Sequence, residues 1–483
     1  MSFTNVEFLF FLPIVFLLYW LGPTHKVYQN AILLAGSYLF FGSWHWQLLL
    51  LIVAGTWLDY FISHQFARLQ DDKPRRRQLL IASLVFSLGS LCFFKYAGFF
   101  AASANDGLRA LGLEQSLPVL KLLLPLGISY WTLQRVGYML DCYWRRIKPA
   151  KSLLDFSLFV CFFGQVAAGP ISRATELLPQ LKTARTITPD WIAKGCFAFL
   201  LGYTLKAFAG EFLGENLVSK AFASPIDYST LSLWIGVAAF AGQVFSDFAG
   251  YSLMAIGTAR LFAIELPQNF NNPFLSRSLP ELWRRWHITL NRWLFEYIFT
   301  PLTTSKGWFR NRLDLGLFLV FLVSGLWHGA AWTFILWGLL HALGMIIHRN
   351  WDMLYRGWCR KNRAFVTVRK SLPYGLVSWS LTITFFILTL VPFRAVDIET
   401  AAVYYRGMFV SVGELALSIS PLSVLALVVI CAMHFAELKP FDRIVSLFQA
   451  IPPLLRGVAY GLAVALLILA VPFSSATFIY QQF

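Results

Sequence analysis

Two histidines in this 483-residue chain stand in company that chemistry could use. His328 lies in Ser324-Gly325-Leu326-Trp327-His328-Gly329-Ala330-Ala331-Trp332, between two strongly apolar segments, and His287 closes Trp283-Arg284-Arg285-Trp286-His287. A neutral imidazole accepts a proton near pH 7, which suits general-base activation of a hydroxyl nucleophile. Gly325 and Gly329, on either side of His328, permit close backbone approach or a sharp turn. Either histidine could equally serve only as a hydrogen-bonding link between helices. His25, His64, His348 and His434 sit near the ends of apolar stretches, and His45 sits in a short aromatic turn. Carboxylates at Asp59, Asp141, Asp247 and Glu296 fall in apolar surroundings. Asp247, in Gln243-Val244-Phe245-Ser246-Asp247-Phe248-Ala249-Gly250-Tyr251-Ser252, could orient a histidine or pair with an arginine. No G-x-S-x-G elbow, Walker-type phosphate loop, H-E-x-x-H zinc motif or Rossmann fingerprint occurs. The six scattered cysteines include no C-x-x-C, so neither a metal site nor a disulfide framework is expected.

The elements that must position these residues are set by solvent. The chain is 58% apolar and only 13% charged, with a mean hydropathy of +0.62. Soluble domains carry roughly 45–50% apolar and about 25% charged residues, so both figures point to lipid. Aromatic abundance, with 18 Trp, 18 Tyr and 46 Phe, fits interfacial belts. Apolar stretches run almost end to end, and the first, Phe8 to Trp20, lacks a basic leader or cleavage site and reads as a retained span. The expectation is an all-α polytopic membrane protein with about eleven crossings plus re-entrant and amphipathic helices. It reads as a single domain over 1–483 with a terminal tail at 474–483. The net charge of +16 belongs to loops held against anionic lipid rather than to nucleic acid, because the basic residues cluster between apolar stretches. Three clusters, at Lys73–Arg77, at Arg145 to Lys151 and from Arg349 to Lys370, should face the cytoplasm. Loops at 101–117, 212–229 and 394–419 carry few basic residues and should face outward. Counting crossings from Lys370 places Thr477 to Phe483 outside. Only the stretch 259–287 breaks the hydropathy pattern. It holds Pro267, Pro273, Pro280, Arg277, Arg284 and Arg285, a polarity that lines a cavity or an interface.

The run Asn269-Phe270-Asn271-Asn272-Pro273-Phe274, continued by Glu281-Leu282-Trp283-Arg284-Arg285-Trp286-His287-Ile288-Thr289-Leu290, closely resembles the signature of bacterial membrane-bound O-acyltransferases. Gly325-Leu326-Trp327-His328-Gly329 resembles that family's histidine motif. The similarity extends to Leu124-Pro125-Leu126-Gly127-Ile128-Ser129-Tyr130, to Ala168-Gly169-Pro170-Ile171 and to Asp247-Phe248-Ala249-Gly250-Tyr251-Ser252. The resemblance implies a ring of helices around a central funnel, with His328 as the principal catalytic histidine and His287 as the second. It points to the branch that O-acetylates alginate, cellulose or peptidoglycan, with D-alanyl or another acyl transfer as the alternative within the family. A polytopic transporter is the rival outside it, but no repeat between halves is visible. The ending Phe478-Ile479-Tyr480-Gln481-Gln482-Phe483 is similar to a tyrosine motif of this branch, which makes Tyr480 either an acyl relay or an interfacial anchor.

The mechanism so implied has no tightly bound cofactor and takes acetyl-CoA as donor substrate. Arg284, Arg285 and Arg277, with Trp283 among them, are the candidate residues for attracting it, and Asp247 and Trp327 are candidate orienting residues. His328 would deprotonate an acceptor hydroxyl, Tyr480 would hold the acetyl group, and a periplasmic or membrane-anchored acetyltransferase partner would complete the transfer. The setting expected is the inner membrane of a bacterium, with membrane lipid as the surrounding partner.

Overall fold

A computed structural model describes residues 1–113, 116–120, 122–166, 169–410, 413–435, 446–448, 450–452 and 455–462. Ala168, Lys439, Arg443, most of the last expected span and the tail 474–483 with Tyr480 lie outside the described residues. Among the described residues, regular structure is helical apart from an isolated bridge between Tyr228 and Leu415. The protein is an all-α polytopic membrane protein. Five helices, Lys26–Arg68, Lys73–Ala110, Pro189–Ala223, Thr230–Leu261 and Leu372–Arg394, are long and apolar enough to cross a bilayer. Val6–Leu21, Leu153–Gln165, Leu313–His328 and Pro421–His434 are shorter apolar helices. Hydrocarbon offers the backbone no hydrogen-bond partner, so a segment within it must satisfy its own N–H and C=O groups, and the helix does so. Large apolar side chains such as Phe10, Leu39, Phe61, Val85 and Leu381 are exposed, as surfaces facing lipid require.

The Lys26–Arg68 helix has 43 residues, about 64 Å at 1.5 Å per residue and roughly twice the hydrocarbon thickness. Its interior contains a non-helical residue, His45, with φ −157° and ψ 108°. The short aromatic turn read from the sequence at His45 is this kink.

The contacts divide the chain into two compact units, where the hydropathy pattern suggests one domain. The first holds Met1–Gly202 and Tyr251–Pro267. Inside it Arg135 is wholly buried: its Nε donates to Asp59 Oδ2 at 2.6 Å and its Nη2 to the Gly55 carbonyl at 2.9 Å. Ser83 Oγ donates to the other Asp59 oxygen at 2.6 Å. A charge removed from water is tolerated when it is paired and hydrogen-bonded in this way. Position 55 takes glycine because a Cβ there would stand 2.1 Å from Arg135 Nη1.

The second unit, which includes Tyr203–Gly250 and Gln268–Ser446, carries both candidate histidines. Helices Leu313–His328 and Trp332–Lys361 form a hairpin through residues 329–331. Their backbones touch: a Cβ on Gly325 would lie 2.4 Å from the Phe334 carbonyl oxygen, and one on Gly338 would lie 2.5 Å from that of Phe321. The Leu372–Arg394 helix is tied to this hairpin by a hydrogen bond between His341 Nε2 and Thr389 Oγ1. It is also tied to the polar stretch before the histidine motif, through Trp379 Nε1 donating to the Phe274 carbonyl at 2.8 Å.

Candidate active site

The motif that ends in His287 begins with a short helix, Leu279–Arg285, capped by Ser278 Oγ, which accepts from Glu281 N. The helix stops at Trp286. His287 then adopts the left-handed conformation, φ 43° and ψ 52°, before the next helix, Ile288–Leu294. A non-glycine residue there is sparsely populated and must be held by its surroundings. Asn269 supplies the hold. Its carbonyl accepts from Ile288 N at 2.9 Å, and its side-chain Oδ1 accepts from Thr289 N, Thr289 Oγ1 and His287 Nδ1 at 3.3, 2.9 and 3.0 Å. Two residues on, Asn271 N donates to the Arg285 carbonyl, and Asn291 Nδ2 donates to the carbonyls of Trp283 and Trp286.

This network fixes a tautomer. The backbone N–H of Thr289 can only donate, so the Asn269 atom it meets is the amide oxygen, an acceptor. His287 therefore carries its proton on Nδ1, and Nε2 is left with a lone pair. Nε2 is buried and makes no hydrogen bond among the described residues. A buried basic nitrogen kept without a protein partner is a group placed to meet something else.

His328 ends its helix, 4% exposed. Around it stand the rings of Trp337, Trp327 and Phe393, with centroids 4.8, 5.1 and 5.2 Å away. Trp327 also approaches His287, at 5.7 Å, so one indole is wedged between the two histidines. Gly329 is required because a Cβ there would come 2.1 Å from the Phe334 ring. The ring series continues to a third histidine: Trp337 lies 4.6 Å from His341, and His341 lies 4.9 Å from Trp283. Thr389 sends its hydroxyl proton to the Phe386 carbonyl, so it accepts from His341 Nε2, which leaves the lone pair on His341 Nδ1. Among the described residues that nitrogen is also buried without a partner, as are the indole N–H groups of Trp283 and Trp337. His341 carries no signal in the sequence. It sits mid-helix among apolar residues, and its partner Thr389 is 48 positions away.

The other candidates take separate places. Asp247 receives the Lys206 ammonium, which also lies 3.7 Å from Glu211, and the group on His287 Nδ1 is Asn269. Phe248, the next residue after Asp247, packs on the His287 ring at 4.6 Å. Trp283 is buried against His341. Arg285 is engaged by Glu281 at 2.9 Å and by the Asn271 carbonyl. Arg284 and Arg277 are exposed. His434, in the last turn of the Pro421–Phe435 helix, is buried between Phe245 and Phe274, and its Nδ1 donates to the Ile430 carbonyl. Among the described residues no cluster of His, Cys, Asp and Glu has the arrangement of a metal site.

The sequence profile of the MBOAT, membrane-bound O-acyltransferase family, matches residues 145–391, a range that contains Asn269, His287, Trp327 and His328. The chain belongs to that family. This acyltransferase is 34% identical over 423 residues to a protein named probable alginate O-acetylase AlgI from Azotobacter vinelandii, covering 86% of this chain and 80% of that one. It is 32% identical over 431 residues to the peptidoglycan O-acetyltransferase of Helicobacter pylori, covering 82% and 77%. Similarity to the teichoic acid D-alanyltransferase of Bacillus subtilis is 30% over 249 residues, covering 49% and 62%. An O-acyltransferase needs a base for the acceptor hydroxyl, and two of its buried histidines stand on one indole. In neutral form His287 can only accept at Nε2, so it can take a proton or a hydrogen bond there but cannot donate one.

Proposed function

We propose that this acyltransferase passes acetyl groups from cytoplasmic acetyl-CoA through a bacterial inner membrane for O-acetylation of an extracytoplasmic polysaccharide, with a partner transferase making the final ester. The acetyl group is favoured over D-alanine because the two O-acetylating relatives align over 86% and 82% of this chain and the D-alanyl transferase over 49%. The observation that carries the reading is the pair of buried imidazoles, His328 and His287, flanking Trp327 within one unit.

In the proposed reaction His328 takes the proton of an acceptor hydroxyl as its oxygen attacks the thioester carbonyl. The carbon–sulfur bond breaks, and the thiolate recovers the proton from the imidazolium, which resets the base. The ester left on the acceptor is the product of this chain. Tyr480 is the acceptor we favour, making the tyrosyl ester a relay from which the partner transferase acetylates the sugar. Arg284, exposed and without a carboxylate partner among the described residues, is the arginine of the motif best placed to draw in the anionic donor.

His328→Ala should lower acetyl transfer by about 10²–10⁴-fold, the usual contribution of a general base, with the protein still folded in membranes. Tyr480→Phe keeps the ring and removes the nucleophile. Mass spectrometry of cell polysaccharide should show acetylation lost in both strains. Wild-type acetylation in a well-expressed His328→Ala strain would refute the base assignment, and in Tyr480→Phe it would return that residue to an interfacial anchor.

A further inference from the structure

The second unit also carries a cleft of about 340 Å3 whose lining includes neither His328 nor His287. Its walls include Arg277, Arg369, His348, Tyr374, Trp351 and Ser378. Arg277 is anchored by its backbone N–H, which donates to Glu281 Oε2 at 2.9 Å. Its guanidinium lies over Gly375, where a Cβ would stand 3.3 Å from Nη1. Glu281 pairs with Arg285, and among the described residues no carboxylate lies within ion-pair distance of the Arg277 guanidinium. Arg369 comes from the amphipathic helix Arg363–Lys370. Its carboxylate partner Asp352, at 2.6 Å, is shared with Arg356 at 2.7 Å. Two guanidiniums thus share one aspartate while Arg277 has none among the described residues, and the cleft keeps a positive surplus. Ser278 Oγ, also on the wall, accepts from Glu281 N, so its hydroxyl proton is free to donate.

Part of the rim is apolar and open. Trp351 is 46% exposed and Leu381 67% exposed, and Leu372, Leu376 and Val377 on the same helix are exposed as well. On a protein surrounded by lipid, such residues lie against acyl chains or at the interfacial belt. The cleft therefore joins a cationic, hydroxyl-lined pocket to a lipid-facing wall. A bound ligand should be anionic at one end and hydrocarbon at the other. Guanidinium forks match phosphate oxygens in charge and geometry.

We propose that this cleft binds the headgroup phosphate of an anionic membrane phospholipid, with the phosphate between Arg277 and Arg369 and the acyl chains along the exposed face of the Leu372–Arg394 helix. Occupancy bears on the active site through Glu281, which links Arg277 to Arg285 and, through Arg285, to the Asn271 carbonyl beside Asn269. A bound phosphate braces the loop that holds His287. The proposal does not depend on which acyl donor the enzyme uses. A phosphorylated donor such as coenzyme A offers the same phosphate chemistry from water, and the experiment separates the two sources.

Full-length protein is placed in nanodiscs of phosphatidylcholine with and without phosphatidylglycerol, and bound lipid is counted by native mass spectrometry after release. Wild type should retain one phosphatidylglycerol that excess coenzyme A does not displace. Arg277→Ala combined with Arg369→Ala should weaken that retention at least tenfold. Arg360→Ala combined with Lys361→Ala, which removes the same charge outside the cleft, should not. Equal retention in all three proteins, or equal loss in both double variants, would reduce the effect to general surface charge and overturn the site. Displacement by coenzyme A would assign the cleft to the donor instead, and would leave the acyl-transfer reading intact.

Discussion

Asn269 decides which nitrogen of His287 is basic, and it does so through one oxygen that also accepts from Thr289 twice. Without that oxygen the imidazole is free to move its proton to Nε2, and the left-handed turn loses the hydrogen bonds that hold it. Asn269→Ala should therefore lower kcat by about tenfold to a hundredfold, on the scale of a buried hydrogen bond lost at 1–3 kcal/mol, with little change in KM for the donor. Asn269→Asp keeps the acceptor and should recover part of the rate. Steady-state kinetics in proteoliposomes would check this, and an unchanged kcat in Asn269→Ala would mean the tautomer does not matter. At this scale the sequence was partly readable. His287 and His328 stand out by their tryptophan and glycine neighbours, whereas Asn269 could be quoted as part of a motif but not given its task. That task is a contact between residues 18 apart through a turn with no periodicity to reveal it. His341 was hidden altogether, because an apolar helix gives its imidazole no distinguishing company.

Helices are positioned here by what their backbones can approach. The hairpin of Leu313–His328 and Trp332–Lys361 crosses at Gly325 and Gly338, each facing a carbonyl oxygen of the other helix. Small residues at such crossings let membrane helices gain contact where lipid gives no hydrophobic drive. Gly325→Ala must push the helices apart, because its added carbon meets backbone rather than a movable side chain. It should cost about 1–3 kcal/mol and displace His328, three residues on, relative to Trp337. A lower melting temperature in detergent together with lost transfer is the expected result; full activity at wild-type stability would show that the crossing tolerates a methyl group. The glycines beside His328 did announce close approach, but what they approach is Phe334 on another helix, which no local pattern reveals. Helical spans were legible from hydropathy over most of the chain. Their true lengths were not, since the Lys26–Arg68 helix continues through the polar, aromatic turn at His45 with only a kink.

For the whole molecule the question is sidedness, because a donor from the cytoplasm and an acceptor beyond the membrane fix which helix ends face which way. The basic clusters give an orientation: Lys73 to Arg77 opens the Lys73–Ala110 helix, and the run from Arg349 to Lys370 closes one helix and forms the amphipathic helix after it. Such clusters stay on the cytoplasmic side. Cys359 lies within the second run and is half-buried, so the natural sequence already carries a reporter. Cys92 and Cys431 are exposed, but on apolar helices whose outer surfaces face lipid; Cys196 is half-buried on the apolar helix Pro189–Thr204, and Cys142 and Cys161 are buried. A charged, membrane-impermeant maleimide should therefore label wild type in inverted vesicles and not in right-side-out ones, and Cys359→Ser should abolish the signal. In the same inverted vesicles, added acetyl-CoA should be consumed, whereas right-side-out vesicles should leave it untouched. Labelling of Cys359 from the outer face would reverse the orientation, and the arginines at the end of the histidine motif would then have to be judged against a donor that never reaches their side.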